Sequence, residues 1–295
     1  MMDNWKAHAT LFATTIIGGL NYSISKLVMP DYFQPAAIII IRGLSAILFF
    51  WLIHLFFIKE KVETLKDYLR LLICAFFGIT ANQIFFYEGL NLTSPINASL
   101  LQCAVPIFVV LISAFIIKEK ITPFKIAGLI LGATGAVLLL LHSQKSSISQ
   151  SYTGDIMIIL NGACYAVFLV LIKPLSEKYD AFTVMKWVFL FGTIMNLPYG
   201  YNEVLEVNWN TLPLFSWLSL IFIVLFATII NYSLNVGVLR YVNASVAGIY
   251  IYLIPVVTSI VAVSLNQDEV TWTKVGYSLL IFAGVFLVSK KSTLK

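Results

Sequence analysis

Asn97–Leu140 reads NASLLQCAVPIFVVLISAFIIKEKITPFKIAGLILGATGAVLLL, and Asn243–Ser289 reads NASVAGIYIYLIPVVTSIVAVSLNQDEVTWTKVGYSLLIFAGVFLVS. Both stretches open on Asn-Ala-Ser and carry one proline near the middle of an apolar run, Pro106 and Pro255. Both then show an acidic residue at a short loop, Glu119 in one and Asp268 or Glu269 in the other. A spaced glycine pair closes each, Gly128 and Gly135, then Gly276 and Gly284. The two prolines lie 149 residues apart in a chain of 295, so the pattern is a duplication of half the molecule. Each copy holds two apolar runs of membrane-spanning length, which need about 20 residues apiece.

Outside these stretches the same texture continues. Hydrophobic residues are 60% of the chain and charged residues 11%, with a mean hydropathy of +0.91. A soluble domain averages about 45–50% apolar and about 25% charged, so lipid is the solvent for most side chains. That excess excludes a soluble enzyme, a disordered chain and a nucleic-acid binder. Ten runs are expected, at about His8–Val28, Ala36–Phe57, Tyr68–Leu90, Pro95–Ile117, Phe124–Leu141, Gly154–Lys173, Phe182–Tyr201, Pro213–Leu239, Asn243–Leu265 and Val270–Ser289. Their unbroken apolar character predicts helices rather than barrel strands, which would alternate. The fold expected is therefore an all-α polytopic membrane protein of ten transmembrane helices in two inverted five-helix repeats. The first repeat is expected over 1–142, a polar extracytoplasmic linker over 143–153, and the second repeat over 154–295.

Orientation follows from Lys and Arg. With the N-terminus in the cytoplasm, 15 of the 19 basic residues fall on that side, among them Lys59, Lys61, Lys66 and Arg70. Lys26, Lys145 and Lys274 fall outside, and Arg42 lies within the second run. The positive-inside rule then predicts both termini in the cytoplasm. An odd number of spans per half inserts the halves in opposite senses. Such inverted repeats are typical of secondary transporters, whose substrate site lies near the midplane between the halves. Each mid-span proline frees a backbone carbonyl and loosens its helix, so Pro106 and Pro255 are hinge candidates.

The sequence resembles the drug/metabolite transporter superfamily, in particular its ten-helix EamA-like members. The resemblance rests on Gly18-Gly19-x-Asn21-Tyr22-x3-Lys26 in the first run and Arg42 in the second. It rests also on the Ala/Ser–Pro–Glu–Gly–Gly order at Ala98–Gly135, repeated at Ala247–Gly284. It implies a bacterial inner-membrane carrier that moves small metabolites, often amino acids or their relatives and frequently outward. It also implies a central cavity lined mainly by the first, third, fourth, sixth, eighth and ninth spans.

Polar side chains inside spans supply the site candidates. Asn21, Tyr22, Asn82, Gln83, Tyr87 and Gln102 are expected to bind substrate from the first half. Tyr165, Asn231, Asn235 and Tyr250 do so from the second, with Asn161, Tyr232 and Tyr252 in the wider set. Amides and phenols offer hydrogen bonds to an organic solute without the full cost of a buried charge. Tyr22 and Tyr165 take similar places in the two halves. Among charged groups, Lys26 either snorkels to the interface or faces the substrate, and Arg42 either pairs with an anion or locks its helix to a neighbour. Glu88 either pairs with one of these or carries a coupling proton. No histidine–cysteine cluster, H-E-x-x-H or Gly-rich phosphate loop is present, so no metal, cofactor or catalytic role is expected. The expected partners are a small-molecule substrate, the lipid bilayer and protons as coupling ion, in a monomer or homodimer. The leading expectation is export of an amino acid or related zwitterion or carboxylate by alternating access. A nucleotide-sugar or phosphorylated-sugar exchanger using Lys26 and Arg42 is the alternative within transport, and a non-transporting membrane receptor the alternative outside it.

Overall fold

The computed structural model describes residues 4–116, 123–143, 151–238, 241 and 250–289. Asn243–Ser245, Ala247, Glu119, most of the polar linker and seven basic residues used for orientation (Lys118, Lys120, Lys145, Arg240, Lys290, Lys291 and Lys295) lie outside them. Ten helical segments run through the described residues. In the first half they are α1 Asn4–Val28, α2 Pro35–Phe57, α3 Leu65–Leu92, α4 in two pieces, Pro95–Gln102 and Val105–Ile116, and α5 Pro123–Ser143. In the second they are α6 Tyr152–Lys178, α7 Ala181–Leu205, α8 Leu214–Val238, α9 Ile254–Ser264 and α10 Trp272–Ser289. Six of them, α2, α3, α4, α6, α7 and α8, are long and apolar enough to cross a membrane by length and hydropathy alone. The first helix is long but less apolar, because Thr14, Thr15, Asn21 and Tyr22 are buried inside the bundle instead of facing lipid. The chain is a polytopic membrane protein.

Local chemistry sets the helix starts. Pro35 and Pro95 stand in the first turn of α2 and α4, where a missing N–H costs nothing. The hydroxyls of Thr64 and Ser94 accept the N–H of Asp67 and Asn97 at 3.1 and 3.3 Å, and the Asp180 carboxylate accepts that of Phe182 at 2.9 Å. Each such cap stabilises its helix by about 1 kcal/mol.

Packing follows the duplication. The most extensive helix contacts are α3 with α6, α5 with α10 and α2 with α7, the last two each joining a helix to its own counterpart five later. Equivalent contacts recur in the two halves, α3 with α6 as α8 with α1 and α4 with α6 as α9 with α1, while α3 packs on α7 more extensively than α8 does on α2. A pseudo-two-fold axis therefore runs between the halves. Departures from regular helix repeat as well. The third helix holds a π-helical segment at Phe76–Thr80 and the eighth one at Phe222–Ile230. The fourth breaks between Gln102 and Val105, and in the ninth a 3-10 turn at Ile251–Leu253 precedes the α-helical piece from Ile254. Pro106 and Pro255 are each the second residue of the α-helical piece that follows the irregular turn.

Glycine allows the closest approach. A Cβ at Gly284 of α10 would stand 2.4 Å from the backbone N of Gly132 and 2.7 Å from the carbonyl O of Gly128, both on α5. The Gly128-x3-Gly132 pair thus faces α10 inside the bundle, as small residues at membrane-helix contacts do. Beyond α9, Asp268 and Lys274 form a buried ion pair at 2.6 Å. One apolar cluster, with Val28, Ile39, Leu90, Ile96, Leu101 and Ile158, fills the end of the bundle where α1 finishes and α4 and α6 begin. A second, with Phe50, Leu71, Phe168, Leu175 and Phe189, packs α2, α3, α6 and α7 toward the other end. The candidate site lies between them.

Candidate functional site

A central cavity is walled by α1, α2, α3, α4, α6, α8 and the start of α9, and a water molecule's centre can move through about 170 Å³ of it. Of the twelve substrate-site candidates, ten line it: Asn21, Tyr22, Arg42, Asn82, Gln83 and Gln102 from the first half, Tyr165, Asn231, Asn235 and Tyr250 from the second, though Arg42 brings in α2 as well as the six expected helices. Asn161 and Tyr232 join them, while the side chain of Tyr252 lies outside the described residues.

The lining repeats with the fold. Asn82 and Asn231, Gln83 and Tyr232, Phe86 and Asn235, and Val105 and Ile254 are all lining pairs 149 positions apart. In α1 and α6 the offset is 147, pairing Thr14 with Asn161, Gly18 with Tyr165, Asn21 with Phe168 and Tyr22 with Leu169. Tyr22 therefore stands opposite Leu169 and not Tyr165, one helical turn from the register expected. The two halves supply equivalent positions with different side chains, so the cavity is symmetric in shape and asymmetric in chemistry.

Its polar groups are tied across helices. Asn82 and Asn161 exchange side-chain-to-backbone bonds, with Asn161 Nδ2 donating to the Asn82 carbonyl at 2.7 Å and Asn82 Nδ2 to the Asn161 carbonyl at 3.2 Å. Gln102 donates to the Asn161 amide oxygen, and its own amide oxygen is buried without a donor among the described residues. Gln83 Nε2 donates to the Tyr232 hydroxyl at 3.2 Å, joining equivalent positions of the two repeats. Asn235 Nδ2 donates to the Asn231 amide oxygen at 3.1 Å, one turn back. Toward the chain's start, the Tyr250 hydroxyl meets His8 Nδ1 at 2.7 Å.

Arg42 is the one charged group of the lining among the described residues. It is 4% exposed, and its guanidinium donates through Nε to the Thr228 hydroxyl at 2.5 Å and through Nη1 to the Tyr87 hydroxyl. It also stacks 4.9 Å over the Tyr87 ring. The Thr228 hydroxyl in turn donates to the Ile223 carbonyl at 2.7 Å, inside the π-helical segment of α8. No carboxylate pairs with Arg42 among the described residues. A guanidinium so held presents its remaining donors in a fixed plane, the geometry that matches a carboxylate.

Three candidates stand elsewhere. Tyr87 is fully buried behind Arg42 and does not line the cavity. Lys26 reaches away from it and donates to the carbonyls of Leu90 and Asn91 at 3.0 and 2.7 Å, at the end of α3, where helix carbonyls lack partners. Glu88 pairs with neither Lys26 nor Arg42. It accepts a hydrogen bond from the Tyr199 hydroxyl of α7 at 2.5 Å, outside the cavity. Sequence reasoning missed Thr14, Thr15, Phe86 and Phe168 in the lining and Thr228 behind Arg42. It also missed Asp155, fully buried at the start of α6, which accepts from the Thr93 hydroxyl at 2.5 Å and Asn97 Nδ2 at 2.8 Å. Beside the polar linker an aspartate reads as a surface residue, and only its spacing from Gly154 and the apolar run hinted otherwise.

Residues 5–141 and 152–290 each match the model of the EamA-like transporter family. The chain belongs to that family. Among its relatives is an uncharacterized transporter of Archaeoglobus fulgidus, 28% identical over 232 residues, 77% of this chain and 78% of that one. Another relative, 27% identical over 230 residues, is a probable terminal-alkyne amino-acid exporter of Streptantibioticus cattleyicolor, with 77% of this chain and 75% of that one covered. A solved crystal structure shares the fold with a TM-score of 0.61 at 18% identity, covering 95% of each chain. The protein is thus a membrane transporter of the EamA-like family with two repeats.

Proposed function

We propose that this transporter is a secondary-active carrier that exports an amino acid or a related zwitterion or carboxylate across a bacterial inner membrane by alternating access. The observation that carries the reading is Arg42, a buried guanidinium facing a cavity lined otherwise by amides, hydroxyls and aromatic rings together with aliphatic side chains such as Leu11, Val105, Leu169 and Ile254. A cation inside a bilayer costs several kcal/mol unless something compensates it, and an anionic group of the cargo is suited to do so. The amides of Asn82, Gln102, Asn161 and Asn231 then meet the rest of a small polar solute. The relative that exports an amino acid supports the same class. Lys26 is turned to the end of α3, which leaves one basic group for the cargo and favours a carboxylate over a phosphorylated sugar. Residues 1–142 and 154–295 act in this reading as the two rocking units, with both termini in the cytoplasm, 143–153 linking them outside, and Pro106 and Pro255 as hinges. Glu88 is the coupling-proton candidate in this reading.

Counterflow in proteoliposomes tests the proposal. Vesicles preloaded with one unlabelled amino acid are expected to accumulate the labelled solute above protein-free vesicles. Exchange of phosphorylated sugars with no amino-acid signal would replace the reading with the sugar-phosphate alternative. Glu88→Gln is expected to leave counterflow intact and abolish accumulation driven by a pH gradient.

A further inference from the structure

We propose that Lys186 and two tryptophans form a binding site for the headgroup phosphate of an anionic phospholipid, on the perimeter where α2, α3 and α7 meet. This inference does not depend on the cargo. Lys186 is 5% exposed, and its ammonium lies 4.7 Å from the ring centre of Trp51 and 5.1 Å from that of Trp187. Trp51 and Trp187 meet edge-on at 5.6 Å, and Tyr68 closes on Trp187 at 5.0 Å. The rings satisfy the cation through their faces, but three N–H donors remain, and among the described residues they have no acceptor and no carboxylate partner. The indole N–H groups of both tryptophans also lack an acceptor there.

The nearby acids are already committed. Asp67 and Glu63 pair with Lys178 at 2.9 and 2.7 Å, Glu60 accepts the Asp180 N–H at 2.8 Å, and Asp180 caps α7. None of them forms an ion pair with Lys186, so among the described residues its ammonium has no direct anionic ligand and a group from outside the chain can supply one. Position says from where. Lys186 is the sixth residue of α7 and Trp51 lies six before the end of α2, so both sit about 8–9 Å inside the helix ends. That depth is the inner edge of the headgroup zone, which adds roughly 5–8 Å to each side of the hydrocarbon. Leu48 and Leu55 share the face of Trp51 on α2, and Leu69 and Leu72 flank Tyr68 on α3, all exposed, so acyl chains have an apolar track beside the cage. A cage already filled by an ammonium repels a second cation, so a choline headgroup is disfavoured and a net-anionic lipid preferred.

Native mass spectrometry of the full-length, delipidated protein tests this. With phosphatidylglycerol the wild type is expected to retain one lipid that Lys186→Gln holds about tenfold less well, the scale of one lost charge-assisted hydrogen bond. Lys186→Arg is expected to keep it, Lys59→Gln to leave it unchanged, and phosphatidylcholine to be held weakly. Trp51→Leu, which preserves the ammonium, is expected to lower retention without moving the unfolding midpoint, so the test survives a misfolded Lys186 variant. Equal retention by Lys186→Gln or by Trp51→Leu, or equal retention of phosphatidylcholine, overturns the site. Displacement of the lipid by millimolar inorganic phosphate overturns the assignment to lipid.

Discussion

A guanidinium that is 4% exposed inside an apolar bundle needs compensation for lost water, and Arg42 takes it from the hydroxyls of Tyr87 and Thr228 and from the Tyr87 ring. Neutral acceptors hold the group without cancelling its charge, which in the proposed carrier remains for an anionic group of the cargo. Arg42→Gln is therefore expected to weaken carboxylate binding about tenfold or more, read by counterflow and by ligand-dependent shifts of the unfolding midpoint. Arg42→Lys is expected not to restore it, because an ammonium lacks the planar fork. Thr228→Val keeps the volume but removes the acceptor for Nε. An apparent KM raised about three- to tenfold, with the maximal rate less affected, is the expected outcome. Arg42 was legible in the sequence because a charge within an apolar run has few explanations. Thr228 was not, since one threonine in LFATIINY gives no hint of a partner 186 positions away. Glu88 shows the same limit: its expected partners were the two basic residues within apolar runs, Lys26 and Arg42, and the partner it has, Tyr199, comes from a helix that only tertiary packing brings alongside.

At the scale of the element, the irregular turns are where regular helix gives way to function. Each π-helical segment ends within two residues of the polar pair that its helix contributes to the cavity, Asn82 and Gln83 after Thr80 and Ala81, Asn231 and Tyr232 directly after Ile230. Such segments are common at functional sites. They carried no signal in composition, because an inserted residue in a helix leaves the apolar run unbroken. The breaks in α4 and α9 did, through Pro106 and Pro255. Replacing both prolines with alanine is expected to slow counterflow while leaving cargo affinity nearly unchanged, separable by initial rates and equilibrium binding. Gly284→Ala tests the opposite requirement, rigidity. Its methyl would stand 2.4 Å from the backbone of α5, which cannot yield as a flexible side chain would. A loss of about 1–3 kcal/mol is expected, read in reversible unfolding in detergent.

Over the whole molecule, the duplication was legible from two matched stretches of sequence, and helix partnering follows it across both halves. Which side chains share the cavity was legible as a set but not as a register, since a slip of one turn in α1 against α6 leaves every apolar count unchanged. Insertion of the two halves in opposite senses has a direct test. Cysteines placed in the linker near Ser151 and near the N-terminus are expected to react with a membrane-impermeant thiol reagent from opposite sides, the linker from outside. The symmetric shape of the cavity also has one uncancelled member: the position 149 residues after Arg42 is Phe191, so only one repeat bears the charge. With a monoanionic carboxylate as cargo of the proposed carrier, the empty site is a monovalent cation and the loaded site electrically silent, whereas a zwitterion would leave the loaded site charged as well. A membrane potential acts on a full transmembrane displacement of unit charge with about 2.3 kcal/mol per 100 mV, and on a partial displacement in proportion. The unloaded reorientation is thereby expected to be the voltage-sensitive half of the cycle, a molecular rectifier whose preferred direction is set by potassium diffusion potentials and vanishes in Arg42→Gln.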